Sequence, residues 1–458
     1  MAERFELVEK AILKMVEDKK YSTLRDILLT INPADIAGIF NSLDDKRIPL
    51  MFRLLPKELA AETFVEMESE DQELLIRGFS DNELKEVLDE LYVDDAVDII
   101  EEMPANVVRR ILSQADPEMR QSINQILRYP EYSAGAWMTT EYVSLRPEMT
   151  VEEAILRIRR QGIDKETIYT CYVTKDRKLL GIVTVKDLLL ADDDEMLISD
   201  LMETDLISVT THTDQEEVAR IFSKYDFIAL PVVDTENRMV GIVTVDDAID
   251  VMEEEATEDI ELMGGMLPSE DTYLRSSVWE LFKNRIPWLL FLMLSATFTG
   301  LIINSFEDAL AAQMALSAFI PMLMGTGGNS GSQSSVTIIR ALSLDEVKFA
   351  DLPKVVWKEI RTAVLCGAAL AVVCFVKILL VDRMLFGNPD ISLMVDAVVC
   401  LAMFVTVLLA KTVGAILPMV AKVLKLDPAV MASPFITTIV DALSLLVYFL
   451  FATILLGI

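Results

Sequence analysis

One acidic residue lies inside the last long apolar stretch of this 458-residue chain. Asp441 is the only charged residue between Pro428 and Ile458, and an aspartate at mid-bilayer depth costs about 2.5–3.5 kcal/mol on insertion scales. Thr437 and Ser444 each lie about one helical turn away, so the three side chains share a helix face. An ionisable residue at this depth indicates a functional pathway, and the face is predicted to line a polar route. A buried ion pair between Asp441 and Lys411 is the alternative.

The side chains that bind soft metals are scarce in this sequence. His212 is the only histidine, and Cys171, Cys366, Cys374 and Cys400 show no Cys-x-x-Cys spacing. Carboxylates, hydroxyls and backbone carbonyls remain, and these ligands suit hard cations such as Mg²⁺ and Ca²⁺. No nucleophile–base pair and no phosphate-binding loop occurs, so the chain is not predicted to be an enzyme.

The negative charge is concentrated in one half of the chain. The formal net charge is −32; residues 1–285 contain 62 acidic and 31 basic residues, whereas residues 286–458 contain 11 and 10. An acidic water-soluble half is therefore expected to precede a neutral membrane half, and no nucleic-acid partner is expected. The charged amino terminus lacks the apolar core of a signal peptide, which predicts that the soluble half stays in the cytoplasm.

The apolar half, residues 281–458, is predicted to be a five-helix transmembrane domain. Its apolar stretches reach the roughly 20 residues that a span requires, except for the second, which is interrupted. They cover approximately residues 286–305, 310–323 and onward past a polar break, 355–381, 393–420 and 429–456. Basic residues cluster in the loops on one side, which the positive-inside rule places in the cytoplasm. The prediction is a multi-pass protein of the cell inner (plasma) membrane with a cytoplasmic amino terminus and an extracytoplasmic carboxyl terminus.

The interruption of the second stretch is the glycine-rich segment 321–335, PMLMGTGGNSGSQSS. Four glycines and a proline are expected to disrupt an α-helix, and such backbone is tolerated at membrane depth only beside protein or a water-filled cavity. Freed carbonyls, as at Gly328, together with Asn329 and Gln333, would supply oxygen ligands for a cation pathway. Close helix packing through small residues is the alternative.

Residues 1–130 are predicted to form an all-α domain. Apolar residues recur at three- and four-residue spacing, and similar units begin with capping residues or proline. Stacked helix pairs in a superhelix are the expected architecture. Asp94 and Asp98 share one helix face there, with Asp95 beside them; by themselves they fit a solvated helix start.

Residues 131–250 contain an internal repeat in which GIVTV at Gly181 recurs at Gly241. Each copy has the order strand, helix, two strands, helix, and each closes with GIVTVxD. This pattern resembles the cystathionine β-synthase (CBS) regulatory module, here as a tandem α/β pair. The resemblance implies that adenine nucleotides such as ATP are candidate ligands, and that Thr184 with Asp187 and Thr244 with Asp247 occupy the binding positions.

Residues 251–280 are predicted to form a long acidic connecting helix. Asp247, Asp250, Glu254 and Glu258 recur at spacings that place them on one face, where like charges destabilise a helix by a few tenths of a kcal/mol per pair. Such a face needs a counter-charge, and metal ions between acidic surfaces would supply it. A solvated acidic linker is the alternative.

A symmetric pair of chains would turn these parts into a divalent-ion pathway. A twofold axis through the pore would place two Asp441 side chains opposite each other, which matches one doubly charged ion that keeps most of its water. Without ions, the acidic soluble surfaces repel; with ions bound between them, they would compact and close the pore through the connecting helix. Cytosolic Mg²⁺ would then inhibit its own entry.

The whole layout resembles the MgtE-type magnesium channels and transporters. The resemblance rests on residues 327–333 (GGNSGSQ), 253–260 (EEEATEDI) and 426–441 (LDPAVMASPFITTIVD). It implies a homodimer that mediates Mg²⁺ influx, with Asp441 as the pore acid, Thr437 near the same ion and Asp427 at the cytoplasmic mouth. It implies that the segment after Asp250 is a plug helix, and that cytosolic magnesium-sensing clusters contain Asp94, Asp98, Asp247, Asp250, Glu255, Glu258 and Asp259.

Two other functions remain open at this point. One is a broader divalent-cation transporter that also carries Co²⁺ or Mn²⁺. The other is a nucleotide-sensing, CBS-regulated channel of another class, such as an anion channel. An anion pathway would present helix amino termini and basic residues rather than Asp441, and would need many more than five spans.

Overall fold

The structure is a computed structural model that describes residues 2–269, 273, 276–385 and 391–457. The chain divides into two compact units, Met1–Met252 and Glu253–Ile458. The main core of the first unit runs from the amino-terminal helices into the second CBS copy, and the second unit has its own clusters of buried apolar side chains. The acidic half and the apolar half of the sequence therefore fold around separate cores.

Residues 2–126 form ten helices, which confirms the predicted all-α amino-terminal region. Helices two apart in the chain pack together, α3 with α5, α5 with α7 and α7 with α9, as expected for a superhelical stack. Several begin at capping residues: Ser80 and Glu83 form a reciprocal capping box, and Asn32 and Asp116 accept hydrogen bonds from amides of the first turn. The helices are α1 Ala2–Glu17, α2 Tyr21–Leu28, α3 Pro33–Phe40, α4 Ile48–Phe52, α5 Lys57–Val65, α6 Ser69–Gly78, α7 Asp81–Leu88, α8 Val93–Glu102, α9 Ala105–Gln114 and α10 Pro117–Ile126.

Two three-stranded sheets of identical topology confirm the predicted tandem CBS pair. In each, the first strand pairs parallel with the second, and the second pairs antiparallel with the third. The strands are β1 Tyr142–Leu145, β2 Thr167–Lys175, β3 Lys178–Thr184, β4 Val209–Thr210, β5 Ala229–Val233 and β6 Met239–Thr244, and the helices are α11 Val151–Gln161, α12 Val185–Leu189, α13 Ile198–Leu201 and α14 Gln215–Tyr225. Gly181 and Gly241 are equivalent, because a Cβ on either would press against a backbone carbonyl of a crossing segment, that of Glu203 or Thr139.

The acidic connecting helix is shorter than predicted and starts earlier. It is α15, Val245–Met263, which begins directly after β6. Gly264 and Gly265 end it, and Gly265 has the positive φ of 71° that commonly closes a helix. The prediction of one continuous helix over residues 251–280 is therefore wrong, because α15 ends at Met263 and α16 begins at Val278; residues 270–272 and 274–275 lie outside the described residues.

The second unit contains five long helices within its described residues. Four segments are long and apolar enough to cross a membrane by length and composition: Val278–Ser305, Phe349–Leu385, Leu393–Val423 and Pro428–Leu456. The fifth long helix has a glycine- and serine-rich sequence, so a fifth span stays a prediction. The helices of this unit are α16 Val278–Ser305, α17 Glu307–Ala312, α18 Ile320–Ser343, α19 Leu352–Lys377, α20 Leu393–Val423 and α21 Ser433–Leu456.

The glycine-rich segment does not break its helix, which corrects the sequence-based expectation. The apolar stretch from Leu310 is instead divided between α17, a 3₁₀ turn at Met314–Phe319 and the start of α18. From Ile320 the helix continues through all the glycines to Ser343. The carbonyls expected to be free are therefore inside a helix, and the alternative of close packing through small residues is the one observed.

The glycines of α18 allow close approach of α20 and α21. A Cβ on Gly327 would lie 2.7 Å from Cγ2 of Thr406, and one on Gly331 would lie 2.7 Å from Cγ2 of Ile436. Gly414 of α20 is packed directly on the Gly331 backbone. Small residues at helix contacts are the usual means of close helix packing within a membrane, so this sequence is compatible with a continuous helix.

Candidate ion pathway and ion-sensing sites

Asp441 has no ion-pair partner among the described residues. It lies in α21, and its Oδ1 atom is buried without a hydrogen-bond partner in the part of the chain described. A buried polar atom left unpartnered costs roughly 1–3 kcal/mol, and more if it is charged. The carboxylate is therefore held where a ligand or a cation would stabilise it.

Lys411, the alternative partner of Asp441, has a different environment. Its Nζ atom donates to Ser334 Oγ at 3.4 Å, and that hydroxyl donates to Glu359 Oε2 at 2.6 Å. Ser334 thus links the buried ammonium group of α20 to a carboxylate of α19. The ion pair between Asp441 and Lys411 is absent from the described residues, so this structure does not support the alternative.

Thr437 and Ser444, on either side of Asp441 along α21, pack against α18 in the single chain. A Cβ on Gly328 would lie 2.9 Å from Cγ2 of Thr437, and one on Gly327 would lie 2.8 Å from Ser444 Oγ. Ser444 is buried, and its hydroxyl donates to Val440 O at 2.6 Å. The prediction that Ser444 lines a polar route is therefore wrong for this conformation, because α18 covers it.

Gly328 and Asn329 lie on different faces of α18. Gly328 is buried in the helix contact, whereas Asn329 and Gln333 are exposed one turn apart, and Thr337 is exposed one turn further on. Because residues four apart align along a helix, these three side chains form a polar stripe. Thr337 was not predicted from the sequence. Its spacing of four residues from Gln333 could have indicated it, because such residues share a helix face.

The carboxyl end of α15 lies beside the loop that precedes α21. Leu262 and Met263 pack with Ile339, Ala429 and Ala432. Asp259 Oδ2 accepts a hydrogen bond of 3.3 Å from Ser343 Oγ. Burial, followed by the charges on Asp427 and Glu261, raises the pKa of Glu258 above its ordinary value. The structure thus brings together three residues predicted from sequence: Glu258, Asp259 and Asp427.

A second group of acids lies inside the first unit, between α8 and the CBS pair. Asp94 is buried, and its Oδ1 atom has no hydrogen-bond partner among the described residues. Burial and then the charge on Asp247 raise the pKa of Asp94 well above its usual range. Exclusion of water and then Asp247 also raise the pKa of Asp98, although part of that side chain remains exposed. The structure therefore brings Asp94, Asp98 and Asp247 into one acidic region.

Sequence reasoning missed two members of this acidic group and noted a third without assigning it. Burial and the charge on Asp95 raise the pKa of Glu166 to about 8, and its Oε2 atom is buried without a partner among the described residues. Burial is also the main reason that the pKa of Asp95 rises to about 6. Glu141 Oε2 accepts from Val93 N at 3.2 Å, at the start of α8. Glu141 and Glu166 lie far beyond the end of α8 in sequence, so no local pattern indicated them.

The remaining predicted sensing acids lie along α15. Asp250 is exposed, and its charge adds to burial in raising the pKa of Glu66. Glu255 is half-buried one to two turns further along. Among the described residues, no group of three or more His, Cys, Asp or Glu side chains is close enough to hold a metal ion. The acids form regions of negative charge rather than preformed coordination sites.

The two CBS copies use their Thr and Asp pairs differently. Thr184 and Asp187 form an exposed capping box at the start of α12, with Thr184 Oγ1 donating to Asp187 Oδ2 at 2.5 Å. Thr244 Oγ1 donates to Asp247 Oδ2 at the same distance. However, Asp247 also faces the acids of α8, and burial is the main reason that its pKa rises to about 7. Asp247 is therefore placed among the acids, and only Asp187 remains clear of them.

Three family descriptions match successive parts of the chain. Residues 31–132 match the MgtE intracellular N domain, residues 134–194 and 198–254 match the CBS domain, and residues 320–451 match a divalent cation transporter. A segment of 114 residues is 32% identical to an inosine-5′-monophosphate dehydrogenase of Korarchaeum cryptofilum, but it covers only 25% of this chain and 23% of that enzyme. That similarity concerns a regulatory CBS segment and carries no enzymatic activity over.

Nearly full-length relatives and solved structures give the same assignment. The magnesium transporter MgtE of Thermus thermophilus is 36% identical over 438 residues, covering 94% of this chain and 95% of the relative. The magnesium transporter MgtE of Bacillus subtilis is 33% identical over 449 residues, covering 98% and 97%. The crystal structure of the cytosolic domain of the Mg²⁺ channel MgtE in complex with ATP matches at 38% identity and a TM-score of 0.51, covering 53% of this chain and 99% of that one. The crystal structure of the soluble part of a magnesium transporter matches at 32% identity and a TM-score of 0.51.

Proposed function

Because this chain belongs to the MgtE family of magnesium transporters, we propose that Mg²⁺ enters past two Asp441 side chains and that cytosolic Mg²⁺ closes this route. The chain is a membrane transporter of divalent cations rather than an enzyme, and its helical amino-terminal and CBS regions are cytosolic. The observation that carries the proposal is the Asp441 carboxylate, buried at Oδ1 and without a partner among the described residues.

A homodimer explains why a single acid per chain suffices. Two carboxylates related by a twofold axis balance one divalent ion, and Mg²⁺ gives up its water reluctantly. The ion would therefore be held mainly through its water shell, with Thr437 near it. The polar stripe of Asn329, Gln333 and Thr337 is exposed on the single chain, which fits a surface that faces the aqueous route in the dimer. A fifth span through α18 would place the carboxyl terminus outside the cell.

Contacts at the end of α15 support its proposed role as the plug helix that closes the route. Its Leu262 and Met263 contact the loop and helix ends around Ala429 and Ala432. Burial and then the charge on Asp427 raise the pKa of Glu258, so the two carboxylates repel each other when both are ionised. A cation between these two carboxylates would replace the repulsion by attraction and hold α15 against the mouth. Asp259 and Glu255 would contribute to the same region of negative potential.

The acids between α8 and the CBS pair would sense cytosolic Mg²⁺ by the same principle. Clustered carboxylates repel one another when they are ionised. A divalent cation that binds among them is attracted by their combined negative charge. Asp94, Asp98 and Asp247 would bind it together with Glu166, while Asp250 would act with Glu66. Binding only to the compact arrangement shifts the equilibrium toward closure.

Removal of divalent ions should make the first unit less stable as the pH rises. Its acids have raised folded-state pKa values, about 6 for Asp95, 7 for Asp247 and 8 for Glu166. The folded unit then keeps protons that the unfolded chain has released, so this stability is present below about pH 4 and is lost as the pH rises through about 6 to 8. Thermal unfolding of residues 1–252 in a chelating buffer should show Tm falling across this window.

Mg²⁺ provides the control for this pH dependence. A saturating concentration should raise Tm most at high pH, where the carboxylates are ionised and ligand binding to the folded state stabilises it. A Tm that rises with pH in chelator, or that Mg²⁺ does not raise, would contradict the proposed sensing site.

ATP is proposed to bind between the CBS copies at Thr184 and Asp187. Support comes from the relative whose cytosolic domain was solved in complex with ATP and from the exposed Thr184–Asp187 pair. The second pair, Thr244 and Asp247, is proposed to contribute less, because Asp247 faces other carboxylates that repel phosphate.

Flux into liposomes that contain the protein tests the proposal as a whole. Mg²⁺ entry should fall as Mg²⁺ on the side of the acidic unit rises, whereas entry that is independent of this Mg²⁺ would contradict closure. The same assay with Co²⁺ and Mn²⁺ tests the alternative of a broader divalent transporter.

A further inference from the structure

The carboxyl end of α15 is closed by a defined turn. Gly265 N donates to Leu262 O at 2.9 Å, and Met266 N donates to Glu261 O at 3.0 Å. With φ of 71° at Gly265, this is the Schellman arrangement that ends many helices. The turn directs the chain after α15 toward α16, where Leu267 N donates to Asn284 O at 2.9 Å.

Gly265 also fits into a space with no room for a side chain. A Cβ at this position would overlap Cδ1 and Nε1 of Trp288 and would lie 3.0 Å from Cγ of Pro434. Trp288 belongs to α16, and Pro434 is in the first turn of α21, two helical turns before Asp441. The turn that ends α15 therefore packs against both α16 and α21, the helix that contains Asp441.

Trp288 connects these elements through its ring and leaves its polar atom unpartnered. Its ring lies 5.6 Å from that of Phe291, and Phe291 is stacked on Phe435 of α21 at 6.3 Å. The indole Nε1 is buried and has no hydrogen-bond partner among the described residues. Burying an N–H group without a partner costs free energy. The packing of Trp288 on Gly265 therefore carries this free-energy cost, and separating the two residues would expose the N–H group and remove it.

We infer that Gly265 and Trp288 are positioning residues that transmit the position of α15 to the start of α21 and so to Asp441. This inference rests on the proposed function, in which α15 closes the route when cytosolic Mg²⁺ is bound. Close packing of a glycine on an indole couples their positions: movement of α15 toward α16 or α21 at Gly265 must displace Trp288 or Pro434, and movement away breaks the contact. The unpartnered indole N–H limits how strongly the closed arrangement is favoured.

The test uses the full chain in liposomes and measures the cytosolic Mg²⁺ concentration that halves Mg²⁺ entry. Gly265→Ala should raise this concentration by roughly tenfold or more, within the usual range of coupling between sites, while entry at low cytosolic Mg²⁺ persists. Trp288→Ala should act in the same direction, and the double variant should show no more than the larger single effect, because both remove one contact.

Two glycine variants provide matched controls. Gly264→Ala makes the same chemical change one residue earlier, where a Cβ would meet its nearest neighbours at 3.2–3.4 Å. Gly457→Ala imposes the same positive φ of 71° at a position with no atom within 4 Å. In both variants, the cytosolic Mg²⁺ concentration that halves Mg²⁺ entry should stay within roughly threefold of the parent value. Parent-like inhibition of Gly265→Ala would overturn the inference.

Trp288→Phe keeps the test decisive if Gly265→Ala does not fold. This change removes the unpartnered N–H and keeps an aromatic ring, so it should lower the half-inhibiting Mg²⁺ concentration by roughly two- to fivefold. Unchanged or weaker inhibition would contradict the inferred role of Trp288. A parent protein that shows no inhibition by cytosolic Mg²⁺ would overturn the proposed function and this inference together, whereas inhibition of the parent with an inert Gly265 overturns only the inference.

Discussion

Asp441→Asn is expected to reduce Mg²⁺ flux by roughly tenfold or more. The change removes two negative charges from the proposed dimeric pore and leaves the side-chain shape almost unchanged. Two opposite unit charges about 4 Å apart attract each other by about 4 kcal/mol at an effective dielectric constant of 20. A loss of about 1.4 kcal/mol already corresponds to a tenfold change in affinity. The measurement is initial Mg²⁺ entry into liposomes at low cytosolic Mg²⁺.

Two variants separate this effect from general damage. Asp441→Glu keeps the charge and should retain more flux than Asp441→Asn. Asp396→Asn makes the same change in α20, at another buried carboxylate with an oxygen that lacks a hydrogen-bond partner among the described residues, and should leave flux within roughly threefold of the parent. Equal flux in Asp441→Asn and the parent would contradict the proposed pathway.

The second large effect is expected from the acidic group between α8 and the CBS pair. Replacing Asp94, Asp98 and Asp247 together by asparagine should raise the half-inhibiting cytosolic Mg²⁺ concentration by roughly tenfold or more, because three carboxylates no longer attract the ion. Flux at low Mg²⁺ should persist, since the pore is unchanged. The same variant should have a higher Tm than the parent in chelator, because the repulsion among its carboxylates is removed.

Asp187→Asn is the matched control for Asp247 in this experiment. Both residues follow the GIVTV motif of a CBS copy, and both accept a hydrogen bond from a capping threonine at 2.5 Å. Only Asp247 faces the acids of α8. In the absence of ATP, Asp187→Asn should therefore keep parent-like inhibition. Loss of inhibition in this control, or its retention in the triple variant, would locate the sensor elsewhere.

Much of the architecture could be predicted because the informative signals are local. The GIVTV repeat fixes two copies of one βαββ unit, and glycine is required in each copy by a crossing carbonyl. Helical periodicity and capping residues identify the amino-terminal stack. Asp441 was identifiable because a lone carboxylate in an apolar helix has a clear energetic cost.

The errors concern interactions between distant parts of the chain. The glycines of α18 look disruptive by intrinsic propensity, but α20 and α21 pack against them, as the contact of Gly414 with Gly331 shows. Tertiary packing outweighs propensity in such a helix. Glu166 could not be found from sequence, because it joins Asp95 and Asp247 only after the CBS pair folds beside α8. Ser444 has the right spacing for the pathway, but α18 covers it.

The position of a bound divalent ion would show whether the ion passes between two Asp441 side chains. Mn²⁺ can replace Mg²⁺ and be located by its anomalous scattering in crystals of the full chain. We expect one peak on a twofold axis between two Asp441 side chains, about 4 Å from their carboxylate oxygens, because an ion that keeps its water contacts the protein through that water. A peak only at other residues, or two Asp441 side chains far from any common axis, would contradict this expectation.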